Sequence, residues 1–95
     1  MKRIIIKLTG AAASLAAVKT AELALEDAAT YAEVIETLGR TYPGLIGLII
    51  DQDGKTMLSS NIFLVNGQDY VMVGMWNQSP KDGDTLLLVS PLTGG

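Results

Sequence analysis

Thr30-Tyr31-Ala32-Glu33-Val34-Ile35-Glu36-Thr37-Leu38-Gly39-Arg40-Thr41-Tyr42-Pro43-Gly44 is the stretch that decides the fold. Thr30 followed three residues later by Glu33 is a capping-box signature, in which each residue satisfies an amide that a helix start would leave unpaired. Tyr31, Val34, Ile35, Leu38 and Tyr42 recur at spacings of three and four, one apolar stripe on a helix whose other face carries Glu33, Glu36, Thr37 and Arg40. Glu36 and Arg40 stand at i,i+4, the spacing of a surface ion pair. Pro43 has no amide to donate and biases Tyr42 away from helical angles, so the helix ends near Thr41.

On the N-terminal side, Arg3 to Leu8 alternates Ile4, Ile6 and Leu8 against Ile5 and Lys7, the period of a half-buried strand. Thr9 to Ala17 reads as a loop or short helical turn. Val18 to Leu25 alternates again, with Ala21, Leu23 and Leu25 inward, and reads as a second strand, antiparallel to the first if the connection is a simple return. On the C-terminal side, Leu45 to Ile50 is apolar enough to be buried and reads as a helical turn, with a strand as the alternative. Asp51-Gln52-Asp53-Gly54 is a turn. Asn61 to Val65 is a strand closed by the turn signal Asn66-Gly67. Val71 to Trp76 reads as a short edge strand, Pro80 to Asp84 as a turn and Thr85 to Ser90 as the last strand. One helix with a single stripe and four or five strands is the pattern of an α+β domain with the helix across one sheet face, and two strands, a helix, then more strands suggests a β-grasp. Residues 1–90 are read as this domain and 91–95 as a flexible tail.

Composition narrows the chemistry. The 95 residues are 48% hydrophobic and 18% charged, with no cysteine and no histidine, so disulfides, thiolate chemistry and the usual general base are excluded. A chain this short has little area for a deep private active site. Seven basic residues against ten acidic ones give a net charge of −3, and beyond position 7 the basic residues are scattered, which argues against a nucleic-acid surface. No apolar run approaches the ~18 residues of a spanning helix. Met1-Lys2-Arg3 followed by three isoleucines imitates an export signal, but Lys7 interrupts the apolar stretch, and a cytoplasmic location is expected. Asp51, Asp53 and the Asp82-Gly83-Asp84 triplet lack the rest of a calcium loop and read as turn chemistry. Nucleotide-loop, dinucleotide and zinc-protease motifs are absent. Trp76 and the four methionines read as core or edge packing.

The end of the chain has its own logic. Pro91-Leu92-Thr93-Gly94-Gly95 follows the last strand and, extended, reaches about 17 Å. Gly94 and Gly95 lack Cβ atoms and let a foreign backbone or nucleotide approach the terminal carboxylate. With a pKa near 3.5 that carboxylate is ionised and a poor electrophile, so a partner must activate it.

Four pieces together resemble the sulfur carriers of the ubiquitin-like β-grasp group, which include the molybdopterin synthase small subunit and the thiamine-biosynthesis carrier. They are Thr30 through Leu45, Phe63-Leu64-Val65-Asn66-Gly67, Asp82-Gly83-Asp84 before an apolar strand, and the terminal Pro91-Leu92-Thr93-Gly94-Gly95. The resemblance implies a mixed four- or five-stranded sheet. It implies that Gly95, with Gly94 beside it, is adenylated by a ubiquitin-activating-like enzyme using ATP and magnesium, with no cofactor bound by the chain itself. A sulfurtransferase then makes a thiocarboxylate, which serves an acceptor such as a molybdopterin synthase large subunit. The loop from Leu45 to Asn61 is similar to that of molybdopterin-type and cysteine-synthesis-type carriers, though Thr56-Met57-Leu58-Ser59-Ser60 lacks the basic and histidine residues common in the latter. The expected partner surface is Leu86, Leu87, Leu88 and Val89 with Pro91, Leu92 and Thr93. The alternatives are a protein modifier conjugated through Gly95 to lysines and a binding-only β-grasp module.

Overall fold

The computed structural model describes residues 1–58, 61–72 and 74–89. Five strands, β1 (Lys2–Lys7), β2 (Thr20–Leu25), β3 (Ile62–Val65), β4 (Asp69–Val71) and β5 (Thr85–Val89), form one sheet in the order β2-β1-β5-β3-β4. β1 and β5 run parallel at its centre, and every other pairing is antiparallel. Helix α1 spans Gly10–Ala16, and α2 spans Tyr31–Thr41. This is the ubiquitin-like β-grasp arrangement, with a mixed sheet gripping the main helix.

The alternation read from the sequence sets the two sheet faces. Ile4, Ile6, Phe63, Leu86 and Leu88 are fully buried on the α2 side, against Tyr31, Val34, Ile35 and Leu38 of the helix stripe, all buried. The capping box forms: the Glu33 amide donates to Thr30 Oγ1 at 3.3 Å, and the Thr30 amide donates to Glu33 Oε1 at 3.3 Å. The two remaining first-turn amides find tertiary acceptors, Tyr31 N on Gln78 O at 2.8 Å and Ala32 N on Trp76 O at 2.9 Å. The start of α2 is therefore closed off from outside anions and tied to the segment before β5.

Three local readings are corrected, and Lys2 adds a burial that no local pattern announces. The segment after β1 is a seven-residue helix, ended by Ala17 in the left-handed region at φ 62°. A run of three alanines and small neighbours has high helix propensity but no amphipathic period to announce it. Leu45 to Ile50 is only half buried: a 3₁₀ turn at Pro43–Leu45 leads to Gly47 at φ 92°, which reverses the chain. Leu45, Ile49 and Ile50 are thereby inside, while Ile46 and Leu48 face water. The edge strand is Asp69–Val71, not Val71 to Trp76, because Asn66 and Gly67, both at positive φ, turn the chain so tightly that Asp69 already pairs with Val65. Trp76 belongs to the core, edge-on to Phe63 with ring centroids 6.1 Å apart. Finally, Lys2 is 4% exposed, and its ammonium donates to Ala29 O at 2.8 Å and Pro80 O at 2.7 Å, clamping β1 to the loops on either side.

Gly44 is required by a close approach. A Cβ at this position would stand 2.6 Å from the carbonyl oxygen of Leu15, where α1 packs on the 3₁₀ turn. That carbonyl is backbone and cannot rotate aside. Gly44→Ala is expected to cost about 1–3 kcal/mol, read as a lowered urea midpoint with an unchanged slope. Wild-type stability in this variant would show that α1 does not dock there in solution.

Candidate functional site

The face of the sheet opposite α2 is not covered by that helix and carries the partly exposed residues of β3 and β5. Strand alternation divides the expected partner residues: Leu86 and Leu88 point into the core and are fully buried, so they are removed from any docking surface, whereas Leu87 and Val89 lie partly exposed on the outer face. Pairing register places Lys7, Leu87, Leu64 and Tyr70 in one row across β1, β5, β3 and β4, and Ile62 beside Val89 in the next. The row borders a shallow groove of ≈ 510 Å³ between Lys7, Leu64, the Asn66-Gly67 turn, Thr85 and Leu87. An Arg3–Glu22 ion pair at 2.6 Å covers the far side of the same face. Pro91, Leu92, Thr93, Gly94 and Gly95 lie outside the described residues.

The carboxylates that drew attention in the sequence serve the backbone. Asp53 accepts from the amides of Lys55 and Thr56 at 2.8 and 3.2 Å, and these bonds, the Lys55 amide first, hold its carboxyl below the usual range. Asp82 accepts from the Arg3 amide at 2.8 Å, latching the 80–84 turn to β1. Asp84 accepts from the Lys81 amide at 2.8 Å and from Asn66 Nδ2 at 2.9 Å, while Asn66 Oδ1 accepts from the Thr85 amide at 2.9 Å. Among the described residues no cluster of three metal-ligating side chains occurs. Among the described residues no acid, base and nucleophile are gathered at one point.

A protein-family model described as the ThiS family matches residues 6–95. The chain belongs to the ThiS family. Solved structures with the same fold include the small archaeal modifier protein 1 of H. volcanii, 22% identical with a TM-score of 0.80, covering 96% of this chain and 99% of that one. A putative molybdopterin converting factor, subunit 1, from Pyrococcus furiosus is 24% identical with a TM-score of 0.72 over 96% of this chain and 99% of that one. Urm1 from Trypanosoma brucei is 27% identical with a TM-score of 0.70, over 99% and 96%. No curated protein matches the sequence. The family is one of small carriers that are not themselves catalytic and that work with adenylating and acceptor enzymes, and the solved structures share its fold. No described helix is long and apolar enough to cross a membrane.

A second concavity was not legible in the sequence. The β3–β4 turn, the start of α2 and the segment 75–84 enclose a cleft of ≈ 480 Å³, bordered by Tyr31, Asp69 and Asp84. Tyr31 had been readable only as a stripe residue, and its ring does pack 6.5 Å from that of Phe63. Burial, then the charges of Asp84 and Asp69, raise its phenol above the ordinary value of 10.0. The folded chain thus holds this proton more tightly than the unfolded chain does. The linked stability is complete below about pH 10 and is lost as pH rises through the folded value. In an ultraviolet titration, one of the three tyrosines is expected to ionise after the others, and Tyr31→Phe to remove that late phase. A single phase for all three would contradict the assignment.

Proposed function

We propose that this protein is a sulfur carrier of the molybdopterin type, acting in the cytoplasm through the carboxylate of Gly95. The observation that carries the reading is the ThiS family match, which runs through the Gly94-Gly95 end. In the first step the Gly95 carboxylate attacks the α-phosphorus of ATP on an adenylating enzyme, forming an acyl-adenylate and releasing pyrophosphate, with magnesium held by that enzyme. In the second, sulfide-level sulfur (HS⁻) delivered with the help of a sulfurtransferase attacks the acyl carbon and displaces AMP, leaving a thiocarboxylate and releasing a proton. The terminal sulfur is then the nucleophile offered to an acceptor enzyme, so this chain needs no cysteine of its own. The neighbour titled as a molybdopterin converting factor favours this pathway.

A second reading has its own support, since other neighbours are titled small archaeal modifier protein 1. There the same adenylated Gly95 would be attacked by a lysine amine of a target, giving an isopeptide. Both readings place the enzyme-facing contact on the outer sheet face. Leu87 and Val89 are central there, with Leu64 across the register, and Pro91, Leu92 and Thr93 lead from them towards the glycines.

Intact mass measurement of the chain purified from its native cell tests the reading. Exchange of one oxygen for sulfur at the C-terminus is expected. Gly94-Gly95 remnants on other proteins' lysines, without that exchange, would favour the modifier. Deleting Gly95 is expected to abolish ATP–pyrophosphate exchange with the adenylating partner while the amide spectrum stays dispersed, and an unchanged rate would refute the proposal and leave a binding-only module.

Leu87→Asp separates surface from core. It is expected to weaken binding of the adenylating enzyme by roughly tenfold or more with little loss of stability, as for a central interface residue. Leu88→Asp, which buries a charge, should unfold the domain. Undiminished binding by folded Leu87→Asp would remove the outer face from the interface.

A further inference from the structure

Asn61, just before β3, is fully buried, and its side-chain oxygen is the one buried side-chain polar atom among the described residues that has no hydrogen-bond partner. The other polar hydrogens of this residue are accounted for: the main-chain amide and Nδ2 both donate to Leu58 O, at 3.2 and 2.6 Å. Exchanging the oxygen and nitrogen of the side-chain amide would set two acceptors against each other at Leu58, so Oδ1 is the orphan. A buried acceptor left unpaired is costly, and in folded proteins such atoms are nearly always met by a donor. The pairing register says which position stands opposite. Ile62 faces Val89 and Phe63 faces Leu88 on the antiparallel β3–β5 ladder, so one pair further brings position 90 opposite Asn61. Strand alternation puts that position on the inner face, the side on which Asn61, Phe63, Leu86 and Leu88 are all fully buried.

Position 90 is a serine, the residue that follows the last described one. We propose that the Ser90 hydroxyl donates to Asn61 Oδ1, so that the β3–β5 ladder gains one more pair, and that Asn61 is thereby a positioning residue for the chain end that carries Gly95. Its bearing on Gly95 rests on the adenylation proposed above; the bond itself does not. Directly opposed residues of an antiparallel pair hold their Cβ atoms about 4.5–5.5 Å apart, a gap that a serine hydroxyl and an asparagine amide can close. Pro91 fits the same geometry twice over. It biases the residue before it towards extended angles, and having no amide of its own it gives the ladder a natural end. A buried water is the weaker candidate, because such a water is held by about three bonds, and among the described residues no second unpaired buried side-chain atom stands ready to hold it. The consequence for function is entropic. With Ser90 tied to β3, an enzyme has five residues, Pro91 to Gly95, to place instead of six, and every residue ordered beforehand is one whose freedom need not be lost on binding.

The test uses the full chain labelled with nitrogen-15. The side-chain amide signals of Asn61 are expected to move in Ser90→Ala and to stay in place in Ser59→Ala and Ser60→Ala, whose hydroxyls are the nearest alternatives in sequence. Ser90→Ala is also expected to lower the folding equilibrium constant about tenfold, as for a buried acceptor left unpaired, read as a lower urea midpoint at unchanged slope. In an Asn61→Leu background the same substitution should have little effect; where Asn61→Leu does not fold, the Asn61 signals of Ser90→Ala decide alone. With the adenylating enzyme, Ser90→Ala should raise KM by roughly threefold to tenfold at unchanged kcat, the mark of lost pre-ordering rather than lost chemistry, and Ser90→Thr, which keeps the hydroxyl, should restore it. Asn61 signals that ignore Ser90→Ala, or that follow Ser59→Ala or Ser60→Ala instead, would overturn the proposal. So would a water-to-Asn61 nuclear Overhauser contact that persists unchanged in Ser90→Ala. Moved Asn61 signals with an unchanged KM would overturn the positioning role. Absence of ATP–pyrophosphate exchange in the wild-type chain would count against the proposed function and not against the bond, which the Asn61 signals decide by themselves.

Discussion

The parallel pairing of β5 with β1 is the constraint on which the rest depends. Ile5, Ile6 and Lys7 stand opposite Thr85, Leu86 and Leu87, residues some eighty positions apart, and β3 then closes on the other edge of β5. A strand bonded on both sides cannot slip by one residue without turning Leu86 and Leu88 out of the core. That fixed register makes the two faces of β5 chemically unequal: one is sealed under α2, and the other offers Leu87 and Val89. It also holds Val89, the last described residue, at the end of the strand that pairs on both sides, opposite Ile62. For a protein whose proposed chemistry lies six residues further on, a firm base matters more than a pocket, because an enzyme that grips the sheet also fixes where the chain end starts.

The 75–84 segment has a second job, which follows from its bonds. It caps α2 through Trp76 O and Gln78 O, receives the Lys2 ammonium on Pro80 O, and is latched to β1 by Asp82 and to the β3–β4 turn by Asp84. Several of these are charge-assisted bonds to main-chain groups, the kind that orders irregular backbone. The loop entering the central strand is therefore cross-braced to three other segments. The carboxylates of Asp82 and Asp84 order backbone, accepting from the amides of Arg3 and Lys81 and from the side chain of Asn66, and among the described residues they are not part of a cluster of three ligating side chains.

What could be read from the sequence tracks how local each signal is. The cap at Thr30 and Glu33, the α2 stripe and the inward sets of β1 and β2 are written in consecutive residues, and the structure returns them almost unchanged. The α1 helix was missed because alanine carries propensity without periodicity. β4 was displaced because an edge strand three residues long, with Asp69 and Tyr70 outside, has no apolar alternation to show; only the turn at Asn66 and Gly67 marked where it had to begin. For Leu86 to Val89, four consecutive apolar residues cannot state which two face the helix, and the answer came from pairing with β3. The burial of Lys2 has no local signal because its acceptors, Ala29 and Pro80, lie 27 and 78 residues away. The Tyr31 cleft is assembled from three separate segments and had no sequence signature at all.

The two concavities meet at one residue. Asn66 borders both the outer-face groove and the Tyr31 cleft, and its amide is held at both ends, by the Thr85 amide and by Asp84. With Gly67 beside it at φ 71°, the turn has little freedom to move towards either side without breaking those bonds. A partner lying on the Leu87 row and reaching round the turn would therefore meet a stiff ridge, with an apolar surface on one flank and a carboxylate-lined pocket on the other. A small carrier without catalytic groups of its own must be aligned by the enzymes that use it, and a ridge between chemically different flanks gives them a direction to read.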